Sequence, residues 1–351
     1  MEPITHLLTG AVLARTGFNR KTRLATAAMA LAAEAPDLDV FLYFGGSAFG
    51  FAHHRGFTHT IWGVPLMAAI TIAFLYVWTK LWYRIRPPKA DALPIRWGLL
   101  YGYCCIAALS HILLDFTNNY GVRPFWPVWK QWYAWDIVFI IEPVMLVALI
   151  LGLVMPSLFG LINSEIGARQ KGPRGRASAI TALVLIVLMW GVRDYEHRRA
   201  VAALESLTYQ GKDAVRVGAF PAMANPFKWS GVVDTGGFYQ VMAVDSLRPQ
   251  VDPEGRVQTF FKPEETDELK AAEASYLGRA YLDWSRFPLV EVEKKDPADP
   301  GYTVRFRDLR FQSITSRRTP MGAYVELDPK LHVRYEGFDN PSPEHGRLTG
   351  R

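Results

Sequence analysis

Long apolar runs constrain this chain more than any other feature, because a run of about 20 residues without charge matches the thickness of a bilayer's hydrocarbon core. They crowd into the first 192 of 351 positions, at residues 61–83, 97–114, 137–162 and 179–192. A further run over 24–44 carries Glu34, Asp37 and Asp39, charges that are costly at that depth and usually functional. Together the runs predict an α-helical polytopic membrane domain, with about five transmembrane helices after a short helix from Pro3 to Arg15. The opening residues lack a basic stretch followed by an apolar core, so no cleavable signal peptide is expected.

The loops orient these helices. Arg15, Arg20, Lys21 and Arg23 precede the first run with no acid among them. Lys80, Arg84, Arg86, Lys89 and Arg96 lie at and beyond the end of the run over 61–83, and Arg169, Lys171, Arg174 and Arg176 follow the run over 137–162. By the positive-inside rule all three loops are cytoplasmic. The net charge of +6 is thus a topology signal, and nucleic-acid binding is not expected. Cys104 and Cys105 are adjacent in a helical run and read as packing residues.

Asp37, Asp39, His53, His54, His59, His111, Asp115, Asp136 and Glu142 come from separate segments, yet all fall at the outer membrane face. Three of the eight histidines lie between His53 and His59, and neutral imidazole is a common ligand of zinc and related ions. His111 and Asp115 are spaced i, i+4 and share a helix face. Asp37 and Asp39 form an acidic pair suited to a divalent ion, with a helix-end cap as the plain alternative. Arg55 suits an anionic substrate group or a salt bridge to a nearby carboxylate. Glu142 lies in an apolar run, where a carboxylate needs a partner or a metal.

Residues 193–351 predict a soluble, strand-rich α+β domain on the extracytoplasmic side, giving two domains, 1–192 and 193–351. Alternating stretches near 214–220, 231–244, 257–261, 302–311 and 324–335 read as strands, with a helix between about 263 and 284. His197, His332 and His345 lack partners at ligand spacing, and the tail from Asn340 reads as mobile.

Several motifs in order resemble the YdjM-like family of membrane-bound, metal-dependent hydrolases. They are Pro3-Ile4-Thr5-His6, Ala35-Pro36-Asp37-Leu38-Asp39, His54 through Thr60, His111 to Asp115 with Asn119-Tyr120-Gly121, and Trp135-Asp136 through Ile141-Glu142-Pro143. Thr60 stands where the family pattern has serine, and Glu142 where it has aspartate. The resemblance implies a bacterial inner-membrane protein whose metal ligands are His6, Asp37, His54, His59, His111 and Asp115.

The expected function is hydrolysis of an ester or phosphoester, with a lipid as candidate substrate at the outer leaflet. One or two divalent ions, zinc or alternatively manganese, would activate water, while Asp39 or Glu142 serves as base and Arg55 orients an anionic group. The alternative from another class is a non-enzymatic membrane protein, such as a metal sensor, a transport component or an envelope scaffold.

Overall fold

Pro3 opens the first helix because its missing N–H belongs to the turn that has no intrahelical partner. In the computed structural model, which describes residues 1–165, 175–312 and 320–338, this helix is α1 (Pro3–Arg15). The expected basic residues Arg169, Lys171 and Arg174, together with His345 and the tail from Asn340, lie outside the described residues. The chain divides into two compact units.

The first unit comprises Met1–Asp39, Arg55–Tyr195 and Met223–Pro226. Here α1 packs against α2 (Ala25–Glu34) so closely that a Cβ added at Gly10 would lie 2.2 Å from the carbonyl oxygen of Met29. Only a residue without a side chain permits that approach. The run over 24–44 is therefore not one long helix. It is the 10-residue α2 followed by a 3-10 helix, Ala35–Gly45, beginning where Pro36 interrupts the regular pattern.

After α3 (Ser47–His53) come α4 (Gly63–Ile85), α5 (Trp97–Thr117), α6 (Pro143–Glu165) and α7 (Arg176–Glu205). Among the described residues α4, α5 and α7 are long and apolar enough to cross a membrane, and Pro143–Leu158 forms a shorter apolar helix. Of the five crossings expected, three are among the helices that meet this measure. The last helix does not stop at Val192 but continues to Glu205. Arg193, at the position where the apolar run ends, is 1% exposed and donates to Glu142 Oε2 at 2.7 Å.

The second unit comprises Val40–His54, Glu196–Ala222 and Phe227–Arg351. Strands β1 (Arg216–Pro221), β2 (Lys228–Asp234), β3 (Phe238–Asp245), β4 (Gln250–Val251) and β5 (Gln258–Phe261) form one antiparallel sheet, with β4 and β5 both paired to β3. The single stretch expected at 231–244 is thus two strands, because Gly236 turns the chain with a φ of +88°. The expected helix near 263–284 is also two, α8 (Asp267–Glu273) and α9 (Tyr276–Trp284). Ser275 separates them by capping the second through a hydrogen bond from Gly278 N–H.

A second antiparallel sheet runs β6 (Pro288–Lys294), β7 (Tyr302–Asp308), β8 (Ala323–Leu327) and β9 (Val333–Phe338). The stretch read as one strand at 324–335 is the β8–β9 hairpin. Strand β6 went unread because charged residues occupy its outward positions. Within this unit Phe51 of α3 packs on Tyr281, Trp284 and Phe338, with ring centroids 5.8, 5.4 and 4.9 Å away. That contact anchors residues 40–54 to the sheet-bearing unit.

Candidate metal centre

Four side chains of the first unit converge: Asp37, His59, His111 and Asp115 offer donor atoms that all lie within 4.8 Å of one another. The 3-10 helix after α2 supplies Asp37, a short 3-10 turn Phe57–His59 supplies His59, and one face of α5 supplies His111 and Asp115. His59, His111 and Asp115 are fully buried, whereas the Asp37 side chain keeps 20% of its surface exposed.

Each imidazole is held from behind. His111 Nδ1 donates to the carbonyl of Ala33 at 2.7 Å, and His59 Nδ1 lies 3.3 Å from Asp39 Oδ2 and 3.0 Å from Thr58 Oγ1. Such partners fix which ring nitrogen carries the proton and aim the other at the centre. Both Nε2 atoms consequently face inward, 3.0 Å apart. Asp37 Oδ1 is 3.2 Å from His59 Nε2 and 3.5 Å from that of His111, while Asp115 Oδ2 is 3.5 and 3.4 Å from the same two atoms.

These separations test whether an ion fits. Two ligand atoms each 2.0–2.1 Å from a tetrahedral ion stand roughly 3.3 Å apart. The five measured edges, from 3.0 to 3.5 Å, bracket that value. Asp115 Oδ2 is also buried without a hydrogen-bond partner, an arrangement that is expensive unless something cationic serves it. Two nitrogens and two carboxylate oxygens suit zinc or manganese, so the residues fit the group.

The electrostatics point the same way. Burial favours neutral imidazole at His59, but the adjacent carboxylates of Asp115, Asp37 and Asp39 outweigh it and raise its pKa to about 10. Burial likewise opposes ionisation of Asp37, yet the imidazoles of His111 and His59 hold its carboxyl below the usual range. The surroundings concentrate positive charge at this point.

The other expected residues take distinct places. His6, on α1, is 0% exposed and stacks on His111 with ring centroids 3.8 Å apart, and its Nε2 is 3.4 Å from Asp115 Oδ1. Asp39 accepts from the Arg55 backbone N–H at 2.8 Å as well as facing His59. Arg55, held at a φ of +53°, directs its guanidinium to Asp115 Oδ1 at 2.9 Å and the Gly121 carbonyl at 2.8 Å, above the Tyr120 ring. It is buried, and its guanidinium meets a carboxylate and a carbonyl of the protein.

His54 belongs to the second unit, edge-on to Tyr43, and does not join the four. His53 is bound to the Phe49 carbonyl at 2.9 Å. Glu142 is fully buried and paired with Arg193. The expectation that it needs a partner is met by that arginine, which the charge count had assigned to no site. Sequence reasoning also missed the carbonyls of Ala33 and Gly121, since backbone acceptors leave no mark on residue identity.

Comparison with known proteins finds two family matches in different parts of the chain. The family model described as "YdjM inner membrane protein" matches residues 1–200, and that described as "YfhP C-terminal alpha/beta plait domain" matches residues 267–340. The chain is 28% identical over 312 residues to the uncharacterized protein YfhP of Bacillus subtilis (strain 168), covering 87% of this chain and 83% of that protein. No solved structure matches it.

Proposed function

Because the chain belongs to the YdjM inner membrane protein family, we propose that it is a multi-pass, metal-dependent hydrolase of the inner membrane, acting on an ester or phosphoester at the outer face. The observation that carries this reading is the pair of inward-facing Nε2 atoms of His59 and His111, flanked by carboxylates at ligand spacing. Asp37, His59, His111 and Asp115 would hold the ion, zinc or manganese. Bound there, it would acidify a water and polarise the scissile bond.

The chain's own residues set the geometry of that chemistry. Ala33 and Asp39 orient the two imidazoles, so the donors need not reorganise. Arg55 holds Asp115 and leaves the substrate's anionic group to the ion side of the site. Asp39, bound by Arg55 N–H and His59, positions a ligand rather than moving a proton. Glu142 is committed to Arg193 and acts in packing.

Asp37 is the one member of the four with solvent contact, so substrate approaches from its side. Residues 1–192 supply the membrane part, and residues 193–351 a domain on the extracytoplasmic side. A transport pathway would spread polar groups along the helices. Here His111 and Asp115 sit in the last two turns of α5.

The deciding experiment is elemental mass spectrometry of detergent-purified protein beside His59→Ala and His111→Ala. One or more equivalents of zinc or manganese, lost in both folded variants, supports the reading. Wild-type protein that neither carries nor takes up a divalent ion overturns it in favour of a scaffold.

A further inference from the structure

Residues 40–54 form a loop whose two ends meet. The Arg55 backbone N–H donates to Asp39 Oδ2 at 2.8 Å, across 16 residues of sequence, and closes the neck of the loop. The same oxygen lies 3.3 Å from both Thr58 Oγ1 and His59 Nδ1, while the Arg55 guanidinium lies 2.9 Å from Asp115 Oδ1. His59 and Asp115, two of the four converging donors, are therefore held by the two residues at the neck. Arg55 sits at a φ of +53°, a backbone state that a residue other than glycine keeps only where its surroundings impose it.

The loop is not slack. Its helix α3 folds back on the preceding stretch so closely that a Cβ added at Gly50 would lie 2.4 Å from the Tyr43 ring and 2.8 Å from the Tyr43 Cα. Next to that contact stands Phe51, 5% exposed, with its ring among Tyr281 and Trp284 of α9 and Phe338 of β9. Phe51 is four residues before Arg55, a stretch of chain that spans at most about 14 Å. A segment so short and so closely packed passes a shift of the ring on to the neck.

We infer that Phe51 is a positioning residue of the metal centre. Seated against α9 and β9, it holds the loop whose neck fixes Asp39 and Arg55, and through them His59 and Asp115. This rests on the metal-binding reading given above, and it gives the C-terminal part of the chain a role in that site. With the ring removed, the loop gains conformational freedom, and the ordering of the neck must then be supplied by ion binding itself. Affinity falls while the set of donors stays the same.

The test uses full-length protein in detergent, with Zn2+ affinity read by competition against a chelator and thermal melting read alongside. Phe51→Ala should weaken affinity by about tenfold, the low end of what loss of a ligand-orienting group produces, with the number of ions bound unchanged. Phe51→Leu, which keeps an apolar plug, should recover most of that loss. Val232→Ala is the control, since Val232 is fully buried in a cluster with Phe220, Tyr239 and Leu289 to which Phe51 does not belong. It should lower the melting temperature and leave affinity at the wild-type value. If Phe51→Ala does not fold, Phe338→Ala removes one wall of the same seat and decides by the same measurement. Wild-type affinity in the folded variant, or an equal loss in Val232→Ala, overturns the positioning role and leaves the metal centre standing. Wild-type protein that binds no ion overturns both.

Discussion

His59 and His111 point their Nε2 atoms at each other from 3.0 Å, across 52 residues of sequence. Their Nδ1 atoms are engaged elsewhere, so the two inward lone pairs need a proton or a cation between them. A divalent ion serves both. Replacing either histidine by alanine is expected to reduce bound zinc or manganese to background while the protein remains monodisperse, as read by elemental analysis after gel filtration.

Asp39 acts one step further out. Removing a carboxylate that orients a metal-binding histidine typically lowers metal affinity about 10- to 100-fold without abolishing it. Asp39→Asn should show that intermediate loss in a competition titration with a chelator. Affinity equal to wild type would sink the orienting role.

Glu142 and Arg193 form a buried ion pair whose members are 0% and 1% exposed. Removing one partner strands the other charge, which typically costs about 3–5 kcal/mol. Glu142→Ala should melt markedly lower than wild type, and the double variant with Arg193→Ala should cost less than the sum of the two singles. Metal content of the folded fraction should stay at the wild-type value, which separates this packing role from a catalytic one.

In the second unit, Asp308 is buried beside Arg310, with further hydrogen bonds from Ser285 and the Arg286 backbone N–H. Burial opposes its ionisation, but the guanidinium and these donors prevail and hold its carboxyl below the usual range. Because the folded value lies below the unfolded one, near 3.9, its contribution is fully present above about pH 4 and is lost as pH falls through the folded value. Asp308→Asn should weaken that acid dependence and lower stability at neutral pH, measured by denaturant unfolding over a pH series.

Gly10 lies where α1 meets the backbone of α2. A methyl group there would sit 2.2 Å from the Met29 carbonyl oxygen, so the helices must part. Overpacking of this kind typically costs about 1–3 kcal/mol. Gly10→Val should lower the melting temperature and also weaken metal binding, since His6 and the Ala33 carbonyl ride on the two helices that separate.

The helical membrane part was legible because apolar run length is a local property. So was the pairing of His111 with Asp115, which the 3.6-residue repeat places on one face without any other contact. The strands of the second unit were legible where outward positions alternated with apolar ones. They were blurred where one tight turn, as at Gly236, joined two strands of similar composition.

Sequence alone determined that this is a chain of apolar helices followed by a strand-rich unit, with histidines and carboxylates near the helix ends. Only the tertiary structure decided which of them meet. It brought Asp37, His59, His111 and Asp115 together, gave Glu142 to Arg193, left His54 in the other unit, and set His6 on the far oxygen of Asp115. Periodicity says which way a side chain points from its own axis. Which donors share a centre depends on how closely the axes approach, and that was settled by packing at positions such as Gly10 and by backbone carbonyls common to every residue.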